Sequence, residues 1–100
     1  MGRMSMADNP YRLDILGPAR SNFLAIVARL SGQYRKETLA VMARIVDRLR
    51  LSPLEFGEEL FDLRSLGLQV RLGIQLPLAV GFGVNHAHRI VIIQSVTMLG

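Results

Sequence analysis

The sequence contains no cysteine and only two histidines, His86 and His88. The first absence removes disulfide scaffolds and thiolate metal sites together. A zinc site takes three or four N, S or O ligands, so the two imidazoles would have to borrow carboxylates or a second subunit. No metal and no other cofactor is therefore expected. Long hydrophobic runs are missing too: the best, LPLAVGFGV and IVII, are separated by NHAHR and fall short of the roughly 20 residues that span a bilayer. The opening MGRMSMADNP lacks the apolar core of a secretory signal, so a cytoplasmic protein with no membrane partner is expected. There is no Gly-x-Ser-x-Gly elbow, and VGFGV lies inside a strand pattern and opens no helix, which excludes a phosphate-cradling turn there. Internal repeats and low-complexity tracts are also lacking.

What is present suits one compact unit. A chain of 100 residues with 50% hydrophobic and 20% charged residues has the size and composition of a single globular domain. Its mean hydropathy of +0.30 is high for such a domain and points to apolar surface covered by a partner. Twelve basic residues against eight acidic ones give a formal charge of +4. All of the basic residues except Lys36 are arginine, whose forked donors suit phosphates and carboxylates. RNA, DNA or an acidic protein fits this bias, and so does a plain solvated surface.

Along the chain, residues 1–9 have no period and read as a disordered leader, with a single domain over residues 10–100. YRLDIL alternates Tyr11, Leu13 and Ile15 against Arg12 and Asp14, the period of a half-buried strand. A helix is expected near Pro18, with Phe23, Ile26, Val27 and Leu30 as its apolar stripe and Gly32 as its terminator. A second helix places Leu39, Met42, Ile45, Val46 and Leu49 on one face, with Arg44, Asp47 and Arg48 outward, and stops at Ser52-Pro53. LFDLRSL reads as a further strand. In the next, Leu68, Val70, Leu72 and Ile74 oppose Gln69, Arg71, Gly73 and Gln75, so the apolar set is expected in the core and Arg71 outside. LAVGFGV, after Pro77, and a last strand over residues 89–97 complete the set. The expected class is α+β: an N-terminal strand, a two-helix hairpin, then a three- to four-stranded, mainly antiparallel sheet with one open face.

Three constellations carry candidate chemistry. NHAHR between two strand patterns reads as a hairpin connection in which Asn85 takes a positive φ. Glu58 and Glu59 are adjacent acids after a glycine and read as a solvated loop. The arginines are more informative: Arg44, Arg48 and Arg50 belong to the second helix or its exit, and Arg64 to the first late strand. On the outer sheet face, Arg71 would present a fixed guanidinium to a phosphate or carboxylate.

This order of elements, with P..FGEELFDL......VRL......LAVGFGV....RIVIIQSV, resembles the RelE/ParE superfamily of bacterial toxins from type II toxin–antitoxin modules. The resemblance runs from about Tyr11 to Thr97. It implies a toxin that is either a ribosome-dependent mRNA endonuclease or an inhibitor of DNA gyrase, since one fold serves both. It also implies a cognate antitoxin laying a helix or an added strand on the open sheet. For a nuclease it assigns Arg71 to the scissile phosphate and puts a second arginine near Ala79, where this chain has none. A proton-transfer His or Tyr belongs after the last strand, whose sequel here is TMLG; His88 is roughly 30 Å away at about 3.3 Å per strand residue. Arg44, Arg48, Arg50 and Arg64 are the candidate nucleic-acid or partner contacts. Two other readings stand beside the toxin. One is a non-enzymatic interaction module of the same fold, self-associating as a homodimer through its last strand. The other is a nonspecific nucleic-acid-binding protein.

Overall fold

The computed structural model describes residues 10–99, so the expected leader lies outside the described residues. The chain forms β1 (Arg12–Ile15), α1 (Gly17–Arg29) and α2 (Gly32–Leu51), then a 3₁₀ turn at Pro53–Glu55. β2 (Glu58–Leu63), a second 3₁₀ turn (Arg64–Leu66), β3 (Leu68–Gln75), β4 (Leu78–Asn85) and β5 (Ile90–Met98) follow. The five strands make one sheet in the order β1-β5-β4-β3-β2. β1 runs parallel to β5 and every other pairing is antiparallel. The helices carry the chain from β1 to β2 at the opposite edge of the sheet, so the parallel pair joins the first and last strands of the chain. The parallel pairing puts β5 inside the sheet along Ile90–Ile93, so edge-to-edge pairing through the last strand is confined to the residues beyond Ile93.

Both helices cover one face. α1 lies against β5, and α2 reaches β1 and β4. Pro18 sits in the first turn of α1, where its missing N–H has no intrahelical acceptor. Gly32 does not terminate α1; with φ of 57° it opens α2, leaving Leu30 and Ser31 as the connection. The buried face of α2 comprises Thr38, Val41, Met42, Ile45 and Leu49. Leu39, expected in that stripe, is exposed, because the turn that meets the sheet is centred one residue earlier. These side chains close over Leu78, Val80, Phe82 and Val84 of β4 and Val91, Ile93 and Val96 of β5. Beyond Ile93 no strand among the described residues lies along the outer edge of β5, and there the Asn22 side-chain amide donates to the Val96 carbonyl, fastening α1 to the sheet.

Side chains opposite one another on paired strands share a face, so the β4 core row fixes the orientation of β3. Gln75 opposes Leu78, Gly73 opposes Val80, Arg71 opposes Phe82 and Gln69 opposes Val84. The polar set of β3 therefore faces the helices. Its apolar set opposes Ala79, Gly81 and Gly83 on the face that no helix covers. This inverts the orientation expected from alternation. Ile74, expected in the core, is 54% exposed, whereas Arg71 is 8% exposed.

Candidate functional site

Arg71 is held by the chain rather than presented by it. Its Nε donates to the Phe56 carbonyl at 3.1 Å and its Nη2 to the Gly57 carbonyl at 2.9 Å. The remaining fork, Nη1, donates to Gln69 Oε1 at 2.6 Å. The local sequence demands this. Between Pro53 and Glu58 the chain must leave the helical layer and enter the sheet edge, and it does so at Gly57, whose φ is 71°. A Cβ at Gly57 would collide with the Leu72–Gly73 backbone. Phe56 fills the space over Gly73 and stacks on Phe82, with ring centroids 5.8 Å apart and planes 13° from parallel. The turned carbonyls of Phe56 and Gly57 then need donors, which Arg71 supplies. Phosphate chemistry on the open face is not available to a guanidinium in this position.

The other arginines do not converge. Arg44 and Arg48 share an exposed face of α2, and Arg48 places its guanidinium 4.4 Å from the Phe56 ring centroid. Arg50 lies about 200° further round the helix from Arg48 and gives its carbonyl to the Tyr11 N–H. Arg64 stands in the turn between β2 and β3, beside Asp62. Glu58 and Glu59 are strand residues rather than a loop: Glu58 opposes Leu72 and Glu59 opposes Arg71, so the two carboxylates point to opposite faces.

The histidines occupy the exposed β4–β5 connection. Positive φ falls on Arg89, at 53°, and not on Asn85. Asn85 instead uses its side chain, whose Oδ1 accepts from the His88 N–H at 3.0 Å. His86 Nδ1 meets the Tyr11 hydroxyl at 2.5 Å, and Arg89 lies over the Tyr11 ring, 4.2 Å from its centroid. This contact ties the start of β1 to the turn that feeds β5. Among the described residues, no three His, Asp or Glu side chains gather as metal ligands, and no helix is long and apolar enough to cross a membrane.

Two surfaces remain. The first is the face away from the helices. Leu68, Val70, Leu72 and Ile74 run along β3, flanked by Phe61 and Leu63 of β2 and by Ile90 and Ile92 of β5. From β2 to β5 this face carries no Lys or Arg, and Ala79 stands where the resemblance asks for a second arginine. The second is a cavity of about 380 Å³ between β1 and the helices, lined by Leu13, Ile15, Ala19, Phe23, Leu24 and Met42, with Asp14 and Arg20 beside them. Sequence reasoning expected an open sheet face but placed Arg71 on it, and it missed the cavity. A usable signal for the first was the row Ala79, Gly81, Gly83, whose small side chains mark the thinner face of β4.

The architecture defines a class: a two-helix layer on a mixed five-stranded sheet, which is the fold of the RelE toxins. The archaeal RelE–RelB complex from Pyrococcus horikoshii aligns with a TM-score of 0.63 at 17% identity, over 90% of this chain and 96% of that one. The RelBE2 toxin–antitoxin complex from Mycobacterium tuberculosis aligns at 0.56 and 18% identity, over 89% of this chain and 91% of that one. Comparison with protein-family models and with curated proteins gives no match.

Proposed function

We propose that this chain is the toxin component of a toxin–antitoxin pair and that it acts by binding a protein target rather than by cutting RNA. The fold likeness, extending over nine-tenths of the chain and to two complexes with antitoxins, supports the toxin role. The observation that carries the choice of mechanism is the open face of β2 to β5, which holds no Lys or Arg. Affinity for nucleic acid comes chiefly from Lys and Arg on phosphates, and stabilising a cleaved phosphate needs donors aimed at it. The open face of β2 to β5 presents no Lys or Arg for either task. A chain without a cationic platform on β2 to β5 suits DNA gyrase, a protein, better than messenger RNA on the ribosome, the two targets that the resemblance implies.

The cavity between β1 and α1 suits the antitoxin. It accommodates an apolar side chain from a segment that orders as it binds, while Arg20 at its edge receives an acidic neighbour. Induced expression of the chain alone is expected to arrest growth, and co-expression of the product of the adjacent reading frame to restore it. In a reconstituted translation reaction, the purified chain is expected to leave the messenger intact. Ribosome-dependent cleavage would overturn the binding mechanism; unimpeded growth would overturn the toxin reading itself.

A further inference from the structure

The open sheet face carries an inference that does not depend on the toxin reading. We infer that it is the interface of a two-fold homodimer in which the open faces of two copies pack together, with β3 of each over β4 of the other.

The molecule measures 41 × 37 × 21 Å, and its short dimension has room for one helical and one sheet layer at about 10 Å each. Among the described residues, nothing covers the second side of the sheet. Exposed apolar groups collect there: Phe61 is 51% and Ile74 54% exposed, with Leu72 and Ile92 half-buried beside them. The face is also smooth. Leu68 and the Gln94 side chain lie over Gly83, and Ser95 lies over Gly81, so the neighbours of β4 close over its glycines. A smooth sheet face is the shape that packs on another sheet, aligned within about 30°.

The strand register identifies the occupant as a second copy. A two-fold axis parallel to the strands and midway between β3 and β4 lays β2 of one copy over β5 of its partner, while each residue keeps its level along the strands. Through the ladder, Phe61 stands level with Val70, Gly83 and Ile92, and Leu63 stands level with Leu68 and Ile90. In the dimer Phe61 therefore meets Ile92 of the partner subunit. One step of the same ladder in the other direction, Glu58 shares a level with Leu72, Gly81 and Ser95, so its carboxylate meets a hydroxyl donor. Apolar groups oppose apolar groups and the acid opposes a hydroxyl. The same operation leaves β1 beyond the overlap, so its Arg12–Asp14 ion pair, at 3.1 Å, stays in water. A single partner helix, about 10–12 Å across, is narrower than the apolar band from β2 to β5. Four strands about 4.8 Å apart and about 26 Å long give roughly 500 Å² per face. Together the two faces reach about 1,000 Å², the lower bound for a biological interface.

The test uses the purified full chain. Sedimentation equilibrium at micromolar concentration is expected to give a dimer for the wild type and a monomer for Phe61→Glu, whose melt stays cooperative but falls as the stabilisation from association is lost. Leu24→Glu, on α1, is the control and is expected to remain dimeric. The absence of native cysteine allows a second measurement that needs no destabilising charge. An equal mixture of Phe61→Cys and Ile92→Cys chains, treated with a short bismaleimide, is expected to give covalent dimers, whereas Phe61→Cys alone is not, because its two copies lie three strands apart across the interface. A monomeric wild type, a dimeric Phe61→Glu, or equal crosslinking of Phe61→Cys alone would each overturn the inference.

Discussion

Arg71 shows how one side chain decides between a catalytic and an architectural surface. Two of its three hydrogen bonds end on carbonyls of the crossing at Phe56 and Gly57, so truncation strands acceptors that the fold has already turned inward. Leaving a buried acceptor unpaired costs about 1–3 kcal/mol, and Arg71→Ala is expected to lose roughly 2–3 kcal/mol in urea denaturation. Lysine cannot span the Phe56 and Gly57 carbonyls and the Gln69 amide together, because its ammonium is a compact point charge; Arg71→Lys should recover less than half of that loss. If Arg71 acts only through the fold, the growth arrest lost in Arg71→Ala returns at lower temperature as the folded fraction recovers. A stably folded but inactive Arg71→Ala protein would instead return the residue to the functional surface. Gly73 gives an independent check of the same packing. A Cβ there enters the Phe56 ring, which is itself stacked on Phe82, so Gly73→Ala should cost about 1–3 kcal/mol by overpacking.

Among the elements, β3 marks where sequence reasoning succeeded and where it did not. Its existence, its bounds and its alternation were legible, because strict period-two patterning matches the pleat of a strand and not the turn of a helix. Its orientation was not: alternation says that two faces differ, not which one meets the helices. The answer lay in the neighbouring strand. The two-residue turn Leu76-Pro77 forces Gln75 opposite Leu78, and the bulky row Leu78, Val80, Phe82, Val84 belongs to the core, so Arg71 must face the same way. The helices were legible in kind and in most of their stripes, while Leu39 failed because amphipathic spacing leaves the phase uncertain by about one residue. The parallel pairing of β1 with β5 is a long-range outcome that no local pattern encodes. α1 offers the element-scale prediction. Leu24 is exposed at the edge of the β1–α1 cavity, so Leu24→Glu should leave stability within about 0.5 kcal/mol of the wild type. Antitoxin binding measured by calorimetry should weaken at least tenfold; unaltered affinity would move the antitoxin to another surface.

For the molecule as a whole, the arginine-rich composition and the sheet face of β2 to β5, which has no arginine, act in different directions. A formal charge of +4 suggests nucleic acid until the charges are located. Arg71 is internal, Arg12 is paired with Asp14, Arg48 stacks on Phe56 and Arg89 lies over Tyr11. Arg44 and Arg48 share a helix face that Arg50 does not, and Arg64 belongs to a separate turn. A straight duplex can touch only one side of such a molecule, so about two or three phosphates would be neutralised at a time. Counterion release then gives a slope of roughly −2 to −3 for the logarithm of affinity against the logarithm of salt concentration. Fluorescence anisotropy with duplex DNA between about 50 and 200 mM salt measures it directly. A slope of about −6 or steeper would require a continuous basic surface, which the dispersed arginines do not form, and would restore nucleic-acid binding as the leading function. A shallow slope fits a protein whose positive charge keeps it dispersed in water while its contacts are made through apolar faces.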